Sequence, residues 1–457
     1  MIRTNKSGAG GLRYAYFVIV VLMLVYMLSF LDRVLISLLL APIKQEFGLT
    51  DTQVGLLIGF GFVLFYSAMG LPFGALADRM NRRNLILIGL LGWSAATSAA
   101  GVAAGFVGLL ATRALVGVGE ATLSPAAIST IGDRFPREQF GLAASIYNSG
   151  IVIGSGLAMI FGGYIVHVAS ETTLHLPLLG AINGWRLAMF LAGVLGLPMT
   201  LFVWLTVREA PRTGAATDTI TFGEFVRHLT QRKATFAAVF IGYSCAAVAS
   251  YATILWAPAL FMRVHQVQPQ EIGLTLGLIV MFPGTLGMIG GGLMSDYLSR
   301  RGNSDAPVRV VFWSVIAQIP TLALAFTVSD RQLAFTMLAI GFAANSVYAG
   351  LPGATLQLLT PAHMRGRIMA FYLLCVNLFG IGLGPLVVGL LSDHVFAGKT
   401  GLASAVATTI TVALICSGLI LALARRAIRE TIDGQALAGT ERAEPVMAKA
   451  VAVPEHA

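Results

Sequence analysis

Charge is scarce in this chain. Asp, Glu, Lys and Arg make up 11% of its 457 residues, against about a quarter of a soluble domain. So few charges leave the surface of a water-soluble protein of this length uncovered, which excludes a globular enzyme of the cytosol. A disordered chain is excluded from the other side, because 56% of the residues are apolar. Cysteine is nearly absent. Cys245, Cys375 and Cys416 each lie inside an apolar run with no Cys or His at ligand spacing. They read as buried thiols, with no disulfide framework and no zinc site. No G-x-x-x-x-G-K-[ST] phosphate loop, G-x-S-x-G elbow or H-E-x-x-H pair occurs, so ATP is not the expected driver and no catalytic cluster presents itself. Gly117-Val-Gly119 lies inside an apolar run, where it cannot cradle a phosphate. No enzyme activity, metal or cofactor is therefore expected.

What the chain has in quantity is long apolar runs. The mean hydropathy is +0.81, and a membrane span needs about 20 mainly apolar residues. Twelve such runs lie near 14–40, 54–77, 84–104, 107–131, 141–167, 185–207, 234–261, 271–294, 309–327, 332–358, 366–391 and 402–424. The first is too long for the core of a signal peptide and has no A-x-A site after it. The 51 glycines have no collagen-like period and suit membrane helices. The polar stretch 208–233 divides the spans six and six. The expected organisation is an N-terminal segment 1–13, a six-helix half 14–207, a linker 208–233, a second half 234–424 and a tail 425–457. The tail is Ala-rich and polar from about residue 430 and is expected to lack order.

Orientation follows from the basic residues. With the N-terminus inside, 23 of the 30 Lys and Arg fall on the inner side and 5 on the outer, while Arg33 and Arg113 lie within spans. Both termini are then cytoplasmic, which needs an even number of spans. The net charge of +9 is accounted for by this bias, so no nucleic-acid partner is expected. Short loops favour a bacterial inner membrane, and the protein is expected as a monomer.

The two halves repeat one another. Gly74-Ala-Leu-Ala-Asp78-Arg79-Met-Asn-Arg82-Arg83 closes span 2, and Gly292-Leu-Met-Ser-Asp296-Tyr-Leu-Ser-Arg300-Arg301 closes span 8, 218 residues later. Pro136, Gly141 and Tyr147 match Pro361, Gly366 and Tyr372 at an offset of 225. Two six-span halves on one plan describe a transporter with parallel repeats and a path between them.

The first of these loops resembles the signature loop of the major facilitator superfamily, with Asn81 where the family usually has Gly. Arg113-Ala-Leu-Val-Gly117-Val-Gly119-Glu120 resembles its second signature. Within the superfamily, Leu31-Asp32-Arg33, Gly119-Glu120-Ala121 and Ser129-Thr130-Ile131-Gly132-Asp133-Arg134-Phe135 resemble the spinster-like branch of proton-coupled lysolipid and sphingolipid transporters. Ser29-Phe30 departs from the Asn-Tyr common there, and organic-anion symporters share parts of the same pattern. The resemblance implies an all-α membrane fold of twelve transmembrane helices in two six-helix halves. In span 5, Gly150-x-x-x-Gly154-x-Gly156 is similar to the antiport motif, with Ser155 in place of Pro; it reads as close helix packing first.

An ionisable residue in mid-span costs about 2.5–3.5 kcal/mol or more to insert. Asp32, Arg33, Arg113 and Glu120 are therefore the leading functional residues. Arg113 and Glu120, seven apart, lie about 20° apart on one helix face, while Asp32 and Arg33 point about 100° apart. Asp32 and Glu120 are assigned to exchange of the coupling proton. Arg33 and Arg113 suit an anionic head group or a carboxylate counter-ion. Either set also reads as a buried pair that holds spans together. Tyr66, Tyr147, Asn148, Tyr251 and Asn345 are candidates to line the substrate path, with Tyr243, Tyr348, Gln357 and Asn377 as further in-span polar residues; for each, packing or an interhelix hydrogen bond is the competing reading. Asp78, Arg79, Arg82 and Arg83, with Asp296, Arg300 and Arg301, are assigned to an inner gate, against the plainer reading of positive loops.

The combined expectation is a proton-coupled secondary transporter working by alternating access, with a lysolipid-like or organic anionic substrate. A proton symporter for small organic acids is the alternative. A sensor or channel is a third reading, though a sensor would usually carry an added soluble domain. Its partners would be the substrate, protons and the lipid bilayer.

Overall fold

The computed structural model describes residues 9–135, 137–176, 180–209, 222–361, 364–396, 398 and 400–451. Pro136, residues 210–221 of the linker and both extreme ends lie outside that set. Among the described residues, eleven helices are long and apolar enough to cross a membrane. They are span 1 (Gly11–Leu38), span 2 (Asp51–Ala77), span 4 (Phe106–Arg134), span 5 (Leu142–Glu171), span 6 (Gly184–Thr206), span 7 (Lys233–Val264), span 8 (Pro269–Arg300), span 9 (Ala306–Thr327), span 10 (Arg331–Leu359), span 11 (Arg365–His394) and span 12 (Gly401–Gly434). Span 3 is the helix Arg82–Ala100, whose 19 residues reach about 29 Å. Its apolar signal is diluted by the arginines that open it. The expected all-helical fold of twelve spans is thus present.

Asn81, the departure from the family loop, has a local job. It caps span 3, its side chain accepting from the Asn84 amide at 3.0 Å, a role for which Asn ranks among the best residues. Arg82, 1% exposed, then ties the half together. It bonds Asp133 at the end of span 4, Glu209 beyond span 6 at 2.8 Å, and the Ser129 carbonyl at 3.2 Å. Breaking a buried pair on one side costs about 3–5 kcal/mol. Arg82→Ala is therefore expected to lower the melting temperature of the purified protein clearly, and an unchanged melt would show this network to be idle.

Three departures from the sequence expectation stand out. The connection between spans 5 and 6 carries a small antiparallel hairpin, β1 (Thr173–Leu176) on β2 (Gly180–Asn183), with Thr173 opposite Asn183. The linker contains a helix, Phe222–Gln231, whose Phe225 is buried and packs against Phe371 of span 11. The last helix runs on from Gly401 to Val451, where disorder was expected; its Ala, Glu, Lys and Arg are good helix formers. The cysteines are unpaired, but none is fully buried as expected: Cys416 is exposed, and Cys245 and Cys375 are half-buried. An apolar run in a membrane bundle faces lipid as readily as core.

The halves meet along two seams, both in the part of the bundle away from the chain termini. Span 2 lies on span 11, where a Cβ at Gly55 would stand 2.5 Å from the Pro385 carbonyl oxygen. Span 5 lies on span 8, where a Cβ at Gly277 would stand 2.5 Å from the Gly156 oxygen and one at Gly273 2.5 Å from that of Met159. Only glycine allows backbones this close. The glycine pattern of span 5 thus serves packing, as its residues suggested. Spans 2 and 11 are also locally π-helical at Leu56–Phe60 and Asn377–Leu383, where they touch. Toward the termini the seams end: a Cβ at Gly70 and Gly74 of span 2, or at Gly290 and Gly292 of span 8, meets nothing within 4 Å among the described residues. The halves are closed at the far end and parted at the end bearing the termini.

Candidate functional site: a buried charge cluster in the first half

Each half holds a tyrosine knot at matching positions. In the first half Tyr26 of span 1 stacks on Tyr147 of span 5, 4.8 Å between ring centroids, and the Tyr147 hydroxyl lies 3.4 Å from that of Ser124 in span 4. In the second, Tyr243 of span 7 meets the ring of Tyr372 in span 11 at 6.1 Å, and the Tyr372 hydroxyl lies 3.4 Å from that of Tyr348 in span 10. Spans 1, 4 and 5 correspond to spans 7, 10 and 11, so the repeat read at Tyr147 and Tyr372 extends to their surroundings.

Beside the first knot the halves stop resembling one another. Between their ends, spans 7 to 12 contain no Asp, Glu, Lys, Arg or His. The first half instead has a charge cluster. The Arg33 guanidinium donates to Glu120 Oε2 from Nε at 2.7 Å and from Nη2 at 2.5 Å. It also lies over three rings, Phe30 at 5.0 Å, Phe62 at 4.7 Å and Tyr66 at 5.0 Å. Phe30 is one turn from Arg33, and Phe62 and Tyr66 are one turn apart on span 2. Span 2 comes this near because Gly117 lies against the backbone of Phe62 and Tyr66, where no side chain would fit. Both arginines approach the ring of Phe62, the Arg113 guanidinium lying 5.4 Å from its centroid.

Arg113, expected near Glu120 on its own helix face, turns instead to span 1 and donates to the Asp32 carbonyl at 3.4 Å. Asp32 and Arg33 point apart, as adjacent helical residues must. Asp32, Arg113 and Glu120 are all but sealed at 1%, 1% and 2% exposure, and the Arg33 side chain is 14% exposed. Of the four, only Arg33 has an appreciable opening in this conformation. Asp32 Oδ1, Glu120 Oε1 and Arg113 Nε are buried with no hydrogen-bond partner among the described residues. Buried polar atoms rarely go unpaired, so three of them in one cluster mark it out from ordinary helix packing.

The other candidate residues divide. Tyr66 sits on Arg33, and Tyr251 of span 7 packs on the apolar cluster of the first half. Tyr147 is buried in its knot. Asn148 is exposed and belongs to neither group. Asn345 stays within the second half, donating to Ser250 at 3.0 Å, with its own oxygen unpartnered. Of the gate residues, Arg82 and Arg83 bond within the first half, Arg83 to the Trp204 carbonyl and, from its amide, to Glu209 at 3.0 Å. Asp78, Arg79, Asp296 and Arg300 are exposed, and Arg301 lies 4.5 Å over the ring of Tyr297. These residues occupy the parted end of the bundle.

At the closed end stands a polar network that sequence reasoning missed. Asp51, 5% exposed, opens span 2 and takes Lys44, the Arg263 guanidinium at 3.1 and 3.3 Å, and Ser392 at 2.8 Å. Asp393 accepts from the Asp51 amide at 3.0 Å and the Thr52 amide at 2.6 Å, capping span 2 from the other half. Arg263, Ser392 and Asp393 belong to the second half, so the network bridges the seam. Nearby, partial burial pushes the Glu46 carboxyl up, but hydrogen bonds from Arg186 and Trp185 more than offset it and hold it below the usual carboxylate range.

A bundle of two repeated six-helix halves, joined at one end and carrying a buried charge cluster in one half, defines a membrane transporter. A profile described as Major Facilitator Superfamily matches residues 22–385, and the chain belongs to that family. It is 30% identical over 399 residues to an MFS-type efflux pump of Mycolicibacterium smegmatis, covering 86% of this chain and 88% of that one. Protein spinster homolog 1 of Homo sapiens is 28% identical over 401 residues, 82% of this chain and 73% of its own. Protein spinster of Drosophila melanogaster is 26% identical, and this chain spans 64% of its length. The crystal structure of a bacterial homolog to the human lysosomal transporter spinster, inward-facing and unoccupied, superposes with a TM-score of 0.76 at 26% identity, over 92% of this chain and 97% of that one. The chain is a transporter of spinster type.

Proposed function

We propose that the protein is a proton-coupled secondary transporter that moves an amphiphile with an anionic or lysolipid-like head by alternating access. The observation that carries this reading is the Arg33–Glu120 pair set beneath Phe30, Phe62 and Tyr66. Protonation of Glu120 neutralises it and removes the ion pair. Arg33, which keeps its charge, is then free to take an anionic head in a planar two-bond contact. Arg113 stands behind as a second cation, and Asp32 as the carboxyl that takes up the proton in turn. The facing half, without mid-span charge, suits an apolar tail. Rocking of the halves would open the closed seam and bring the inner-gate loops of Asp78 and Asp296 together. The membrane we assign is a bacterial inner membrane with both termini cytoplasmic, as the basic residues favour. The mycobacterial relative, described as an efflux pump, favours export.

The test is proton flux into proteoliposomes holding a pH dye, with lysophospholipid in one arm and small aromatic or aliphatic acids in the other. Glu120→Gln vesicles run alongside, because lysolipids leak bilayers by themselves. Flux with lysolipid that falls to the leak level in Glu120→Gln supports this reading. Flux with the small acids alone would move the protein to organic-acid symport.

A further inference from the structure

On the outside of the second half, spans 9 and 12 leave a cavity of about 160 Å³ near the end of the bundle bearing the termini. Its walls include Arg309, Phe312 and Trp313 from span 9, and Leu421 and Arg425 from span 12. The two spans run antiparallel, so both place their arginine at the bundle end and their apolar residues a turn deeper. The cleft is therefore cationic at the depth of the lipid head groups and apolar at the depth of the acyl chains. Trp313 is 62% exposed, and Trp concentrates where head groups meet hydrocarbon.

Both guanidiniums are held from behind. Arg425 Nε donates to Asp305 Oδ2 at 2.8 Å, and Arg309 Nη1 donates to Asn303 Oδ1 at 2.6 Å. Asp305 is 1% exposed, so its carboxylate fixes Arg425 without facing the opening. A guanidinium has five donors, and each arginine keeps the rest of its fork for an oxyanion. On the next turns of span 12, Arg426 and Arg429 pair with Glu430 and Asp433, leaving Arg309 and Arg425 as the cations that line the cleft.

We propose that this cleft is a binding site for an anionic membrane phospholipid, with the head-group phosphate between Arg309 and Arg425 and an acyl chain along Phe312, Trp313 and Leu421. The site is separate from the Arg33–Glu120 cluster and does not depend on the transport reading. A lipid there would bridge spans 9 and 12 from outside.

The experiment is native mass spectrometry of the detergent-solubilised full chain, titrated with phosphatidylglycerol, phosphatidylcholine or soluble glycerol phosphate. One phosphatidylglycerol is expected to bind at least tenfold more tightly than phosphatidylcholine, with no binding of glycerol phosphate at the same concentration. The double variant Arg309→Gln, Arg425→Gln should remove that preference. Because Arg425→Gln also strips Asp305 of its partner, Arg309→Gln alone is the second variant, and it should weaken phosphatidylglycerol at least threefold while the protein stays folded. Equal retention of the two lipids by the native protein, or an undiminished preference in Arg309→Gln, overturns the proposal. Binding of glycerol phosphate as tight as that of the lipid overturns it too, as a phosphate site in place of a lipid site.

Discussion

Asp51→Ala is expected to move the protein out of the conformation described here. The carboxylate gathers Lys44, Arg263 and Ser392 at the closed end, and its loss removes these ties to spans 7 and 11, leaving the Asp393 caps on the span 2 amides. Hydrogen bonds to charged groups contribute about 1.5–3 kcal/mol. Lys44 and Arg263 are about 30% exposed and regain water when released, so one such contribution is the fair total for the whole network. That corresponds to a shift of roughly 10- to 100-fold in the ratio of closed to open far ends. Nitroxide labels on E171C and Q332C, which end span 5 and begin span 10, would read it as a longer distance population in pulsed electron resonance. Asp51→Asn keeps an acceptor and should fall between. An unchanged distance distribution in Asp51→Ala would mean that the glycine seams hold the far end by themselves.

Much of the fold was legible because membrane insertion constrains sequence so strongly. Span length, the polar linker and the repeated Asp–Arg loops each have a physical cause that acts within about 20 residues. The mid-span charges were legible for the same reason: desolvation makes Asp32, Arg33, Arg113 and Glu120 conspicuous. Their pairing was not. Helix geometry placed Arg113 and Glu120 on one face, yet Glu120 takes Arg33 from another span, because the angle between spans 1, 2 and 4 is set by contacts such as Gly117 against Phe62. Tyr26, Phe30 and Phe62 were hidden among ordinary aromatic residues of an apolar helix. The Asp51 network was hidden differently. Its partners are separated by up to 342 residues and sit at helix ends, where charge is commonplace. A signal existed, since Lys44 and Arg263 are two of only five cations on the sparsely charged side of the chain.

The Arg33–Glu120 pair admits two readings that stability and transport separate. If it serves only to hold spans 1 and 4 together, what matters is that neither charge is left alone. Arg33→Leu strands the Glu120 carboxylate and should cost about 3–5 kcal/mol, read as a marked drop in melting temperature. Glu120→Gln keeps an acceptor for the guanidinium and should cost less. Replacing both with Leu removes the buried charges together, and well-packed apolar residues in place of an ion pair are often neutral or stabilising. The double variant should therefore melt well above Arg33→Leu, with a coupling energy of about 1–3 kcal/mol in the cycle that Glu120→Leu completes. A structural pair predicts that transport returns along with stability. A pair that exchanges a proton for an anionic head predicts a folded double variant whose proton-driven flux stays at least 100-fold below that of the native protein. Recovery of flux in that variant would take Arg33 and Glu120 out of the coupling and leave Asp32 with Arg113 as the remaining mid-span carboxyl and guanidinium of the first half.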